Sequence, residues 1–191
     1  MIKIGIFGGT FNPVHKGHEK IALEFYNKYE LDKLIIIPSN IPPHKQINGQ
    51  VTAEQRYEMC RICFDKYDNI CVSDLEIKND NISYSYNTVT EIKNNNKDAK
   101  LYFLIGSDMF LYLEKWYKYQ ELLKLCTFVV AYRDDNIIIK SGAEIEFLEN
   151  EPFEISSSEI RADIKNNNYN LEKYINAEVL NYIRENKIYA E

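Results

Sequence analysis

Ile2-Lys3-Ile4-Gly5-Ile6-Phe7-Gly8-Gly9-Thr10-Phe11-Asn12-Pro13-Val14-His15-Lys16-Gly17-His18 is the stretch that decides the fold. Its opening residues are short, apolar and largely β-branched, which predicts a buried strand over 2–7. Gly8-Gly9 is expected to end that strand. Beyond the loop, Ile21, Ala22 and Phe25 recur at helical spacing, so a helix is expected from His18 to about Tyr29. A loop that leaves a strand and opens a helix is the anion-binding position of an α/β fold. Glycine there lets the backbone come close to phosphate oxygens, and His18 lies where helix N–H groups point. The glycines at 5, 8 and 9 do not spell G-x-G-x-x-G, which disfavours a hydride-transferring dinucleotide enzyme.

The same alternation continues outward. Leu34 to Ile37 is a second apolar strand closed by Pro38, and 39–50 is loop with Pro42-Pro43. Thr52 and Gln55 match a capping box and open a helix to about Tyr67. Ile70-Cys71-Val72 reads as a third strand, Ser85 as the cap of a helix to about Lys93, and Leu101 to Ile105, ended by Gly106, as a fourth strand. A helical stretch from about Tyr119 to Leu125 precedes a fifth strand, Thr127 to Ala131. Less regular chain follows, then Ser156 to Ser158 cap a helix through Ile164, and a last helix runs from about Glu178 to Asn186. Strands alternating with helices predict an α/β fold, a Rossmann-like doubly wound parallel sheet with a small C-terminal helical part. Residues 1–191 are read as one domain, with the helical portion over about 156–191. Ligands of such sheets bind beyond the carboxyl ends of the strands, where strand order reverses. The loops after the first and fourth strands are therefore where chemistry is expected.

Composition bounds the function. The chain has 191 residues, 45% hydrophobic and 27% charged, which suits a globular fold with a real core. Its net charge of −6 disfavours a general nucleic-acid binder. No run approaches the roughly 20 apolar residues of a membrane span, and the N-terminal apolar run is too short for a signal peptide. No membrane association and a cytoplasmic location are expected. The use of tyrosine, 15 residues, leaves a homo-oligomer open. Cys60 and Cys63 form a C-x-x-C within a helical pattern, without a second Cys/His pair at zinc spacing. They read as small apolar residues of a buried face, so no protein-held metal is expected.

The three histidines, His15, His18 and His44, all lie in loops after the first two strands. Two nearby histidines alone are compatible with a surface cluster or a metal site. The whole string Gly8 to His18, however, resembles the signature of the HIGH-superfamily nucleotidyltransferases, commonly G-G-T-F-D-P-x-H-x-G-H, with Asn12 in place of the usual aspartate. Near the other end, Ile155-Ser156-Ser157-Ser158-Glu159-Ile160-Arg161 is similar to that family's I-S-S-T-x-I-R string, with Ser158 in the threonine slot. The resemblance implies displacement at the α-phosphorus of ATP, with His15, His18 and Arg161 as catalytic groups. It implies ATP contacts at Gly8, Gly9, Thr10, Phe11, His18, Ser157, Ser158 and Arg161, with Gly106 and Asp108 on the adenosine side. Arg133 is kept in the loop after the fifth strand, although Tyr132-Arg133-Asp134-Asp135 departs from the Arg-Pro-Gly common in relatives. Magnesium is expected on the triphosphate, held by phosphates and water more than by protein.

Three further segments resemble the nicotinate-nucleotide adenylyltransferases. Pro42-Pro43-His44-Lys45 is similar to their P-P-H-K loop, Ser83-Tyr84-Ser85-Tyr86-Asn87-Thr88 to their S-Y-T-x-D-T segment, and Trp116-Tyr117 to their aromatic pair. The resemblance implies nicotinate mononucleotide as acceptor and ATP as donor, with acceptor contacts at Asn12, His44, Lys45, Ser85, Thr88, Trp116 and Tyr117. Nicotinamide mononucleotide and phosphopantetheine remain rival acceptors of the same chemistry. A nucleotide-binding sensor without turnover is the alternative of another class.

Overall fold

The computed structural model describes residues 1–43, 51–79, 82–131, 145–150, 155–166 and 170–190. Strand and helix alternate as the apolar pattern requires. β1 (Lys3–Gly9) leads into α1 (Lys16–Lys28), β2 (Lys33–Pro38) into α2 (Ala53–Phe64), and β3 (Ile70–Val72) into α3 (Ser85–Asn95). β4 (Lys100–Gly106) runs straight into the short α4 (Ser107–Phe110). A 3-10 turn at Leu113–Lys115 and α5 (Tyr119–Leu122) then lead to β5 (Thr127–Ala131). β6 (Ile145–Leu148), α6 (Ser157–Lys165), a second 3-10 turn at Leu171–Lys173 and α7 (Ala177–Glu185) complete the described elements.

The six strands form one sheet in the order β3-β2-β1-β4-β5-β6, every pair parallel. Strand order reverses between β1 and β4, and the crevice above their carboxyl ends is the ligand position of such sheets. The central strands are apolar at consecutive positions because both sheet faces are covered. Leu34, Ile36, Leu104 and Val129 join one core with Phe25, Met59, Phe64 and Ile183. Their neighbours Ile35, Ile37, Phe103, Ile105 and Phe128 join the other with Val89, Ile92 and Leu122. Gly5 brings α1 close to the sheet: a Cβ there would overlap the Leu31 side chain and stand 2.9 Å from Phe25 Cε1.

Several boundaries differ from those expected. β1 continues through Gly8 and Gly9, which pair with Ile37 and Pro38, because an extended glycine bonds across a central sheet like any other residue. Thr52 and Gln55 do form the capping box, but α2 stops at Phe64. Ser85 is the first residue of α3 and not its cap; Tyr84 holds that position with no side-chain hydrogen bond. β6 was not anticipated, since Ile145-Glu146-Phe147-Leu148 is a short edge strand with only Leu148 buried. Cys60 and Cys63 are free and buried in α2, and burial pushes the Cys63 thiol up to about 12, so they are core residues. No described helix is long and apolar enough to cross a membrane.

Candidate active site

A cleft of about 970 Å³ opens at the carboxyl ends of β1 and β4. Gly8, Gly9, Thr10, Phe11, Asn12, His15 and His18 line it from the first loop, and Gly106 and Asp108 from the fourth strand. Ser157, Ser158 and Arg161 enter from α6, and Ser85, Thr88, Trp116 and Tyr117 from the opposite side. His44, Lys45 and Arg133 fall outside the described residues.

The two histidines cap α1. His15 is its N-cap, and its Nδ1 accepts from the Gly17 N–H at 3.1 Å. His18 stands at the third helical position, and its Nδ1 accepts from the His15 N–H at 3.3 Å. The pair is a capping box built from imidazoles in place of the usual Ser/Thr and Glu/Gln. A ring nitrogen that accepts a hydrogen bond carries no proton, so each neutral imidazole holds its proton on Nε2. The ring centroids lie 3.8 Å apart at the N-terminus of α1. Phe11, at φ 47°, turns its ring inward, edge-on to Phe7 at 5.3 Å and to His18 at 5.1 Å.

The second phosphate-type motif packs onto this loop. Ser157 Oγ donates to the Pro13 carbonyl at 3.0 Å. Arg161 Nη1 donates to the Asn12 carbonyl at 2.7 Å and Nη2 to Ser158 Oγ at 3.1 Å. These partners are up to 149 residues apart in sequence. Ser156 and Glu159 close a capping box on α6, and hydrogen bonds from Ser156 hold the Glu159 carboxyl below its ordinary value. Among the described residues the cleft therefore receives the N-termini of α1 and α6 and the Arg161 guanidinium, an arrangement suited to a chain of phosphates.

On the far side, Thr88 Oγ1 donates to Glu76 Oε1 at 2.6 Å, and burial pushes the Glu76 carboxyl up. Trp116 forms part of the wall and also of the core, edge-on to Phe103 at 6.2 Å and Phe128 at 6.3 Å. Tyr117 is 46% exposed and stacks at a tilt on Tyr84, with centroids 4.7 Å apart. Lys118 Nζ lies 4.6 Å from the Tyr86 ring centre.

Sequence reasoning missed three residues around this site. Glu76 lines the cleft, Arg56 binds the first loop from behind, and Tyr189 binds Asn12. Only Arg56 left a readable signal. Its spacing from Met59, Cys60 and Cys63 puts it on the buried face of α2.

Comparison with known proteins fits this geometry. Residues 6–163 match the family model described as cytidylyltransferase-like, which defines the class as a nucleotidyltransferase. A Clostridium acetobutylicum protein described as a "probable nicotinate-nucleotide adenylyltransferase" is 36% identical, covering all of both chains. A Bacillus cytotoxicus protein with the same description is 39% identical over 99% of each. The chain belongs to the nicotinate-nucleotide adenylyltransferase family. Its fold is that of the Plasmodium falciparum nicotinic acid mononucleotide adenylyltransferase solved with NaAD, with a TM-score of 0.82 at 20% identity over 99% and 98% of the two chains.

Proposed function

We propose that the chain transfers the adenylyl group of ATP to nicotinate mononucleotide, releasing pyrophosphate and forming nicotinate adenine dinucleotide on the route to NAD. The observation that carries this reading is the meeting of the His15–His18 box and the Ser157–Arg161 segment on one loop, at the strand-order reversal. An acceptor phosphate oxygen attacks the α-phosphorus in line. The bond to the β-phosphate's bridging oxygen breaks and pyrophosphate leaves with the electron pair. A phosphate monoester is a nucleophile at neutral pH, so the protein's task is alignment and charge stabilisation, with no general base.

In this reading the Nε2–H groups of His15 and His18 donate to the oxygens that gain charge, and Arg161 with the start of α6 receives the leaving pyrophosphate. Gly8, Gly9, Thr10 and Phe11 follow the triphosphate, Ser157 and Ser158 bind its outer phosphates, and Gly106 and Asp108 face the adenosine. Asn12, Ser85, Thr88, Trp116 and Tyr117 take the acceptor. Thr88 acts there by fixing the first turn of α3, since its hydroxyl is given to Glu76. His44, Lys45 and Arg133 belong to the same assignment on their resemblance alone. Magnesium arrives as part of the ATP substrate; among the described residues no group of three or more His, Cys, Asp or Glu could hold an ion. The described elements build two cores on one sheet, which supports one catalytic domain over 1–191, and a cytoplasmic location accords with its substrates.

Pyrophosphate release from ATP and magnesium, with nicotinate mononucleotide, nicotinamide mononucleotide and phosphopantetheine offered separately, tests the reading. A strong preference for the first is expected. Preference for another would keep the chemistry and change the acceptor. ATP binding without release in any case would replace the enzyme by a sensor.

A further inference from the structure

The ladder between β1 and β2 closes at its carboxyl end with the Ser39 N–H donating to the Gly9 carbonyl at 2.9 Å. One residue further along each chain stand the carbonyls of Thr10 and Asn40. Both are acceptors, so they cannot bond each other. The guanidinium of Arg56 bridges them: Nη1 donates to Thr10 O at 2.8 Å and Nη2 to Asn40 O at 3.2 Å. A side chain thus supplies the rung after the last backbone rung.

Arg56 is only 1% exposed, a fully buried charged side chain among apolar neighbours of α2. Its Nε has no hydrogen-bond partner, and no carboxylate stands within salt-bridge distance of it, among the described residues. A buried cation with no carboxylate in contact is expensive, and here that cost is set against two carbonyls that would otherwise lose their donor. Both loops that it joins line the cleft. The loop at Thr10 carries the histidine box, and the loop at Asn40 leads through Pro42 and Pro43, which also line the cleft.

We propose that Arg56 is a positioning residue for adenylyl transfer: its planar fork sets the separation between the ATP-side loop and the acceptor-side loop, and its charge lends positive potential to the phosphate site from behind. The proposal rests on the function proposed above. A fork and a charge can be separated by substitution. Lysine keeps the charge and loses the paired donors, whereas methionine keeps the volume and loses both.

The test compares wild type, Arg56→Lys and Arg56→Met by thermal melting, by calorimetric binding of ATP alone, and by steady-state pyrophosphate release per ATP-binding site with nicotinate mononucleotide. Arg56→Lys is expected to bind ATP within about threefold of wild type and to lose about tenfold or more in kcat, the scale of a reacting pair held slightly out of line. Arg56→Met is expected to lose at least as much in kcat and also to bind ATP more weakly. Wild-type kcat in Arg56→Lys would overturn the proposal, as would losses that disappear once rates are expressed per folded site. If Arg56→Met does not fold, Arg56→Lys decides alone. Should wild type prefer another acceptor, the acceptor assignment fails and the same comparison is made with the acceptor it uses. A wild type that releases no pyrophosphate at all overturns both readings.

Discussion

The Tyr189 hydroxyl donates to Oδ1 of Asn12 at 2.5 Å, joining residues 177 positions apart in sequence. Asn12 stands where relatives of this signature usually carry aspartate, so its side-chain oxygen is a neutral acceptor within the first loop of the cleft. Burial pushes the Tyr189 phenol well up, which keeps it a donor throughout the ordinary pH range. Tyr189→Phe keeps the ring and deletes the bond, leaving a buried oxygen unsatisfied. A loss of about 1–2 kcal/mol is expected in denaturant melts, with a several-fold fall in kcat/KM as the loop loosens. Unchanged stability would mean that the bond contributes nothing.

His18→Ala removes a cleft donor and half of the imidazole capping box together. A fall in kcat of about a hundredfold or more is expected, the scale of one lost charge-stabilising donor. The loss of the cap adds about 1 kcal/mol of destabilisation. Near-full turnover in a folded His18→Ala protein would remove the residue from the mechanism.

Trp116→Ala should act twice, because the ring serves both core and wall. Its edge contacts with Phe103 and Phe128 predict a stability loss of about 2 kcal/mol for a half-buried ring. Loss of stacking predicts an acceptor KM raised about tenfold with the ATP KM unchanged. A melting-temperature drop with an unaltered acceptor KM would assign Trp116 to the core alone.

Glu76 gives a pH dependence with a definite sign. Burial raises its carboxyl above the ordinary 4.5, more than the bonds from Thr88 and Ser83 and the charge of Arg56 lower it. The folded chain then binds more protons at this site than the unfolded chain, so stability falls as pH rises from about 4.5 through the folded value. Glu76→Gln keeps a carbonyl for Thr88 and cannot ionise. Its melting temperature relative to wild type should therefore climb with pH over that window and level off above it. A difference independent of pH would show that the carboxyl is not held protonated in the fold.

The order of elements was legible because the buried strands are written as unbroken apolar runs: Ile4 to Phe7, Leu34 to Ile37, Leu101 to Ile105 and Thr127 to Ala131 all lie in strands. β6 was not, since an edge strand with one buried residue carries no such run. Glycine misled at Gly8 and Gly9, where a turn signal marks the end of a strand without excluding the residues from it. The site residues near motifs were legible as types in order. What could not be read was which atoms they use, such as the Nδ1 caps that fix both histidines. Arg56 and Tyr189 belong to no motif, and their partners are backbone or side-chain atoms brought near only by the fold.

The central place of β1 in the sheet has a consequence for synthesis. Its two neighbours are β2 and β4, so its second edge stays unpaired until the ribosome has delivered the chain through Gly106. The loop it carries waits longer still, for Ser157, Arg161 and Tyr189. The histidine-bearing loop, translated early, is thus among the last to be locked, and a nascent chain holding both histidines has no finished cleft. The finished cleft in this fold requires chain as far as Tyr189 and not merely the signature near its start.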